Sequence, residues 1–134
     1  DFLNPRIHES ERSGFSFLIK YLILYFGIVR EYKGMDVLIR AAQILKKKLD
    51  DFHILAVGES YDGVEKYNSL ITKLKVDDVF TWENRFIPDS QVSMYFSASD
   101  VMALPYRSAS QSGIIQIAYS FNIFKIRHIC VFSI

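Results

Sequence analysis

Apolar positions along the chain switch repeatedly between two textures. Tyr21-Leu22-Ile23-Leu24-Tyr25-Phe26 is a continuous β-rich run ended by Gly27. Such a run, apolar on both faces, predicts a central parallel strand covered by helices on both sides. Beyond Lys33-Gly34, the residues Val37, Leu38, Ala41, Ile44, Leu45 and Leu49 recur at three- and four-residue spacing. Arg40 and Lys46 to Lys48 turn outward on that spacing, so the segment predicts an amphipathic helix. Phe52-His53-Ile54-Leu55-Ala56-Val57, closed by Gly58, predicts a second buried strand. Tyr67, Leu70, Ile71 and Leu74 mark a second helix, and Val79-Phe80-Thr81-Trp82 a third strand. A third helix starts after Pro88-Asp89 and carries Val92, Tyr95 and Phe96; Val101-Met102-Ala103-Leu104 is a fourth strand stopped by Pro105. A fourth helix begins near Ser112-Gly113, and residues 123–134 can form a fifth strand. Alternation of this kind, with no hairpin signal, predicts an α/β fold: an open, mostly parallel sheet with right-handed crossovers and helices on both faces.

Composition narrows the classes of function. The chain has 134 residues, half of them apolar, which suits one domain with a real core. Its net charge of +1 gives no long-range field toward nucleic acid or an anionic membrane, so basic residues must act locally. The single cysteine, Cys130, excludes an internal disulfide framework and is compatible with a reducing cytoplasm. No secretion signal is read at the N-terminus, and the apolar stretch over 15–26, interrupted by Ser16 and Lys20, is shorter than the ~18–20 residues of a membrane span. A cytoplasmic location is therefore expected. His53 reads as a strand-edge residue rather than a metal ligand, because no partner stands at ligand spacing.

Ligands of doubly wound sheets bind outside the carboxyl ends of the strands, which directs attention to the residues after each strand. The first such loop runs from Gly27 through Arg30 and Lys33 to Gly34. An arginine fork and a lysine point charge ahead of a helix suit a diphosphate, although a solvated loop with ordinary surface cations reads the same way. The glycine spacing is not that of a P-loop. Gly58-Glu59-Ser60 forms the second loop, and the third, Glu83-Asn84-Arg85-Phe86-Ile87-Pro88, has polar groups and an aromatic suited to a base. The fourth, from Pro105 through Gln111, Ser112 and Gly113 to Ile114, opens onto a helix whose first amides and dipole can hold an anion. A plain cap by Ser110 or Ser112 is the structural alternative.

Taken together, Phe26-Gly27, Tyr32-Lys33-Gly34-Met35-Asp36-Val37-Leu38-Ile39, Val57-Gly58-Glu59 and Ser97-Ala98-Ser99-Asp100 leading to Leu104-Pro105 resemble the C-terminal domain of group 1 glycosyltransferases of the two-domain GT-B type. The resemblance covers roughly residues 21–122 and rests on order and spacing rather than on any one motif. It implies that Arg30 and Lys33 bind the donor diphosphate and steady the leaving-group charge. It further implies that Asn84, Arg85 and Phe86 contact the base, and that Ser112, Gly113 and Ile114 offer amides to phosphate. Gly27, Gly58, Glu59 and Gln111 complete the expected donor site. The implied substrate is a nucleoside-diphosphate sugar, with no metal and no cofactor, and the implied chemistry is usually retaining. The acceptor, such as a lipid-linked or surface polysaccharide, would be held by a separate N-terminal domain, and the complete enzyme would sit at most peripherally on the membrane.

Two departures stand out. Ile28 occupies the place where many members carry arginine directly after the glycine, so that role passes to Arg30. The family's paired glutamates fall at Ala109 and Ile117, so Gln111 or Gln116 can supply only neutral hydrogen bonds there. Residues 1–20 read as a lead-in from a missing N-terminal domain. The atypical segment 123–134, with neither Gly nor Pro, predicts truncation or an altered reading frame. Two rival readings are a non-catalytic α/β binding or regulatory domain and an inactive remnant. The first strand ends in Gly27 rather than in clustered carboxylates, which disfavours a receiver-like module.

Overall fold

The structure is a computed structural model that describes residues 21–61, 63–105 and 128–131. Strand β1 spans Tyr21–Phe26, and a single 3-10 turn at Glu31–Lys33 leads into α1, Met35–Leu45. There follow β2 (Phe52–Val57), α2 (Glu65–Lys73), β3 (Phe80–Glu83), α3 (Asp89–Ala98), β4 (Val101–Leu104) and β5 (His128–Val131). The sheet order is β3-β2-β1-β4-β5, and every pairing is parallel. The strand that falls within 123–134 is thus β5, seated beside β4. The helix expected near Ser112-Gly113 lies outside the described residues, and so do Gln111 and Ile114.

Side-chain alternation along the strands divides the interior into two cores. Leu22 and Leu24 of β1, Leu55 and Val57 of β2, and Met102 and Leu104 of β4 meet Val92, Tyr95 and Phe96 of α3 on one face. Tyr25, Ile54, Ala56 and Ala103 point the other way, into Leu38, Ile39 and Ala42 of α1 and Tyr67 and Ile71 of α2. All six residues of β2 are buried, as a strand covered on both faces requires. At the amino ends of the strands, the Asp100 carboxylate accepts a 2.7 Å bond from the Leu22 N–H while the Asp100 N–H donates to the Leu22 carbonyl. This buried clasp fixes β4 against β1.

Three local expectations are corrected. Helix α1 stops at Leu45, so Leu49 falls beyond it and Ile44 is 56% exposed, although their spacing placed both on the core stripe. Strand β3 sits one residue later than its apolar pattern suggests, because the Val79 N–H is turned back onto the Val76 carbonyl. His53 is no edge residue. Strand β2 lies between β1 and β3, and the buried His53 ring bonds the Thr81 hydroxyl at 2.7 Å.

Candidate functional site

The carboxyl ends of β1, β2 and β3 close on one another through glycine. Gly58 has φ +144°, and a Cβ there would stand 1.7 Å from the Gly27 carbonyl oxygen. Gly27 also has a positive φ, 132°, and donates its N–H to the Val57 carbonyl at 2.9 Å. The Gly58 N–H donates to the Glu83 carbonyl and the Gly58 carbonyl accepts the Trp82 indole N–H, both within 3.0 Å. Beyond the glycines, Val29 donates to the Glu59 carbonyl at 2.9 Å and the Ser60 N–H donates to the Asn84 side-chain oxygen at 3.1 Å. Three loops that are distant in the chain therefore form one rim.

Within that rim lies a cavity of about 210 Å³, lined by Phe26, Gly27, Ile28, Val57, Gly58, Glu59, Tyr61, Arg85, Phe86 and Ile87. Five residues singled out from the sequence are thus brought together: Gly27, Gly58, Glu59, Arg85 and Phe86. Asn84 stands behind the lining, tied to Ser60. Phe86 is 69% exposed and Tyr61 is 61% exposed, so two aromatic rings face solvent at the mouth. A second depression of about 300 Å³, lined by Glu31, Asp36, Arg40, Lys66, Tyr67 and Leu70, takes in none of the expected site residues.

Arg30 and Lys33 stand at the side of this cavity rather than in its lining. The Arg30 guanidinium lies over the Tyr61 ring at 5.5 Å from its centroid, and the Tyr61 hydroxyl donates to Glu59 Oε1 at 2.5 Å. Hydrogen bonding to Glu59 is the main reason that the Tyr61 pKa is raised. Partial burial, and then the neighbouring Arg30 charge, lower the Lys33 pKa. Neither cation has a carboxylate ion-pair partner among the described residues. A half-buried lysine beside a second cation carries an electrostatic penalty that a nearby anion would relieve.

Gly34 links this cationic turn to the far side of the sheet. Its φ is +73°, and a Cβ there would fall 1.7 Å from the Pro105 carbonyl oxygen. The start of α1 thereby rests on the end of β4, at the place where the strand order reverses direction. That crevice is where open α/β sheets hold ligands. Of the loop that follows Pro105, the expected Gln111, Ser112, Gly113 and Ile114 are outside the described residues.

Two contributors were not singled out from the sequence. Tyr61 is one, although an aromatic three residues after Gly58 was a signal that could have flagged it. The other is Tyr95, whose helical spacing marks it only as core while its hydroxyl reaches Glu83 and Arg85. Among the described residues there is no group of three or more His, Cys, Asp or Glu that could hold a metal ion, and no helix long and apolar enough to cross a membrane.

Comparison with known proteins agrees with this architecture. An uncharacterized glycosyltransferase of Haemophilus influenzae is 30% identical over 102 residues, which is 75% of this chain and 28% of that protein. The chain thus spans little more than a quarter of that relative's length. The C-terminal domain of LpcC, a group 1 family glycosyl transferase from Francisella tularensis, superposes with a TM-score of 0.74 at 16% identity, over 98% of this chain and 69% of that one. Anabaena HepE, solved in complex with UDP and glucose, superposes with a TM-score of 0.68 at 16% identity, over 88% of this chain and 32% of that one. WaaG, a glycosyltransferase involved in lipopolysaccharide biosynthesis, gives 0.67 at 24% identity, over 86% and 30%. The fold is that of the C-terminal, Rossmann-like half of a GT-B enzyme. The family model described as "Glycosyl transferases group 1" matches residues 8–115, and the chain belongs to that family.

Proposed function

We propose that the chain is the donor-binding half of a glycosyltransferase that takes a nucleoside-diphosphate sugar. The base occupies the cavity between Gly27, Gly58 and the Arg85-Phe86 loop, and Phe86 offers a flat apolar contact. The diphosphate lies toward Arg30 and Lys33, beside the carboxyl end of β4. The observation that carries this reading is the seating of Gly34 on Pro105, which sets the cationic turn beside the carboxyl end of β4. Complexes of HepE with UDP and UDP-glucose, on the same fold, support it.

In this reading Arg30 and Lys33 do the catalytic work of the chain. As the glycosidic bond breaks, negative charge builds on the departing diphosphate, and fixed cations that face it lower the barrier without reorganising. The charge demand is met by protein groups and the donor, with no metal or cofactor. Residues 21–122 make up the donor domain, and the acceptor wall comes from an N-terminal domain. Lipid-linked or surface polysaccharide is the acceptor class we favour, given the involvement of WaaG in lipopolysaccharide biosynthesis, with the enzyme at the cytoplasmic face of a membrane. The chain by itself is expected to bind donor weakly and transfer nothing.

Calorimetric titration with a panel of nucleoside diphosphates tests this. Binding that weakens at least tenfold in Lys33→Ala is expected; absence of binding, or equal binding by the variant, would remove the assignment. A second reading, an inactive remnant, is favoured by Ala109 and Ile117 standing where the family has glutamates. On that reading the fold persists and nucleotides do not bind.

A further inference from the structure

Beside the cavity, Arg85 of the lining is joined to two residues, Glu83 and Tyr95, that have no part in the donor reading so far. Glu83 ends β3, Arg85 follows two positions later, and Tyr95 comes up from α3. The Tyr95 hydroxyl donates to Glu83 Oε2 at 2.5 Å and accepts from Arg85 Nη2 at 2.6 Å. That same nitrogen donates to Gln91 Oε1 at 3.3 Å and lies 3.8 Å from Glu83 Oε2. Tyr95 is 1% exposed, and burial, followed by the bond to Glu83, pushes its pKa up to about 12. The phenol therefore keeps its proton, commits it to Glu83, and presents a lone pair to Arg85.

All side-chain polar contacts of Arg85 among the described residues pass through Nη2. Its Nε and Nη1 carry the remaining N–H donors on a side chain that lines the cavity. The other polar side chains of the lining, Glu59 and Tyr61, are bonded to each other. Arg85 is the one cationic side chain of the lining among the described residues, and it has donors and no acceptor.

We propose that Arg85, held in place by Tyr95 and Glu83, selects the donor base: one that presents a carbonyl oxygen to the cavity, uracil or guanine, over one that presents an amino group, cytosine or adenine. The proposal rests on the donor reading above. Opposed to a carbonyl, a fixed guanidinium gains a charge-assisted bond; opposed to an amino group, two donors face each other and both are left unsatisfied. Tyr95 is a positioning residue in this arrangement, since it acts only through Arg85.

The test compares UDP with CDP, which differ at the exocyclic group on C4 and in the proton on N3, by calorimetry on the chain; GDP and ADP, which differ likewise at C6 and N1 and by the 2-amino group of guanine, extend the comparison to purines. UDP should bind about tenfold more tightly than CDP, the lower end of what a well-formed base contact contributes. Arg85→Ala should bring the ratio close to one, and Tyr95→Phe should lower it by weakening UDP more than CDP. Arg85→Lys, which keeps the charge and loses the fork, serves if Tyr95→Phe does not fold, and should also lower the ratio. Lys33→Gln should weaken both nucleotides and leave the ratio unchanged. Equal binding of UDP and CDP by the wild type, or a preference that survives Arg85→Ala, would overturn the proposal and leave the donor reading standing. No binding of any nucleotide would overturn both.

Discussion

Lys33 illustrates at the scale of one residue how a binding group can cost stability. Its pKa is lowered by partial burial and then by Arg30, so the folded chain holds the lysine proton less tightly than the unfolded chain does. By linkage, the group opposes folding at neutral pH, and the penalty fades as pH rises past the lowered value. Lys33→Gln should therefore lose most of the affinity for nucleoside diphosphate and at the same time melt slightly higher than the wild type. Thermal melts and calorimetry on one preparation check both halves. A variant that loses affinity and also melts lower would mean that Lys33 supports the fold. His53 carries the same sign with a larger shift. Burial takes its pKa from 6.5 down to about 4, against a smaller opposing pull from Asp78. Stability is fully present above pH 6.5 and is lost as pH falls toward 4, because the unfolded chain takes up the proton first. At about 1.4 kcal/mol per pKa unit the loss approaches roughly 3 kcal/mol. Denaturant titrations at pH 7 and pH 5 should show a loss in the wild type that is smaller in His53→Gln, where an amide can still meet Thr81.

At the scale of elements, the glycines after the strands matter more than the strands themselves. Gly58→Ala places a methyl on the Gly27 carbonyl at a φ that L-residues avoid, so the β1 and β2 ends must part. A cost of about 2 kcal/mol or more is expected, together with loss of nucleotide binding, because the cavity is built on this approach. Gly63 has open space around it. Gly63→Ala should bind nucleotide like the wild type, and its only cost should be that of its φ of +116°. Denaturation midpoints and titrations on the pair separate contact from backbone strain. The same scale explains what was legible beforehand. Strands β1, β2 and β4 are read to the residue because each is an apolar run cut off by Gly27, Gly58 or Pro105. Helix α1 was read too long, since Ile44 and Leu49 keep the helical spacing although the chain has already turned. The loops of the candidate site were legible from the rule that ligands sit at strand ends. The Asp100 clasp and the Tyr95 relay were not: each joins residues whose meeting depends on how β4 and α3 pack, which no local pattern encodes.

Across the whole molecule, the two cores share one sheet, and that determines how it should unfold. Neighbouring residues of β2 serve opposite cores: Ile54 and Ala56 face α1 and α2, while Leu55 and Val57 face α3. Neither core can be released without disturbing the backbone ladder that holds the other. Trp82, the single tryptophan, packs edge-on against Tyr67 with centroids 5.6 Å apart, on the α1 and α2 side. Leu24 is fully buried in the core on the α3 side. Leu24→Ala should cost about 2–5 kcal/mol, the usual range for a leucine truncated in a packed interior. If the sheet couples the cores, the lower midpoint will appear identically in Trp82 fluorescence and in far-ultraviolet circular dichroism, although the mutation lies on the opposite face from the tryptophan. An inactive remnant with loosened packing would instead melt broadly, with fluorescence unmoved by Leu24→Ala. Such a result would remove the rigid frame on which the cavity and the cationic turn depend.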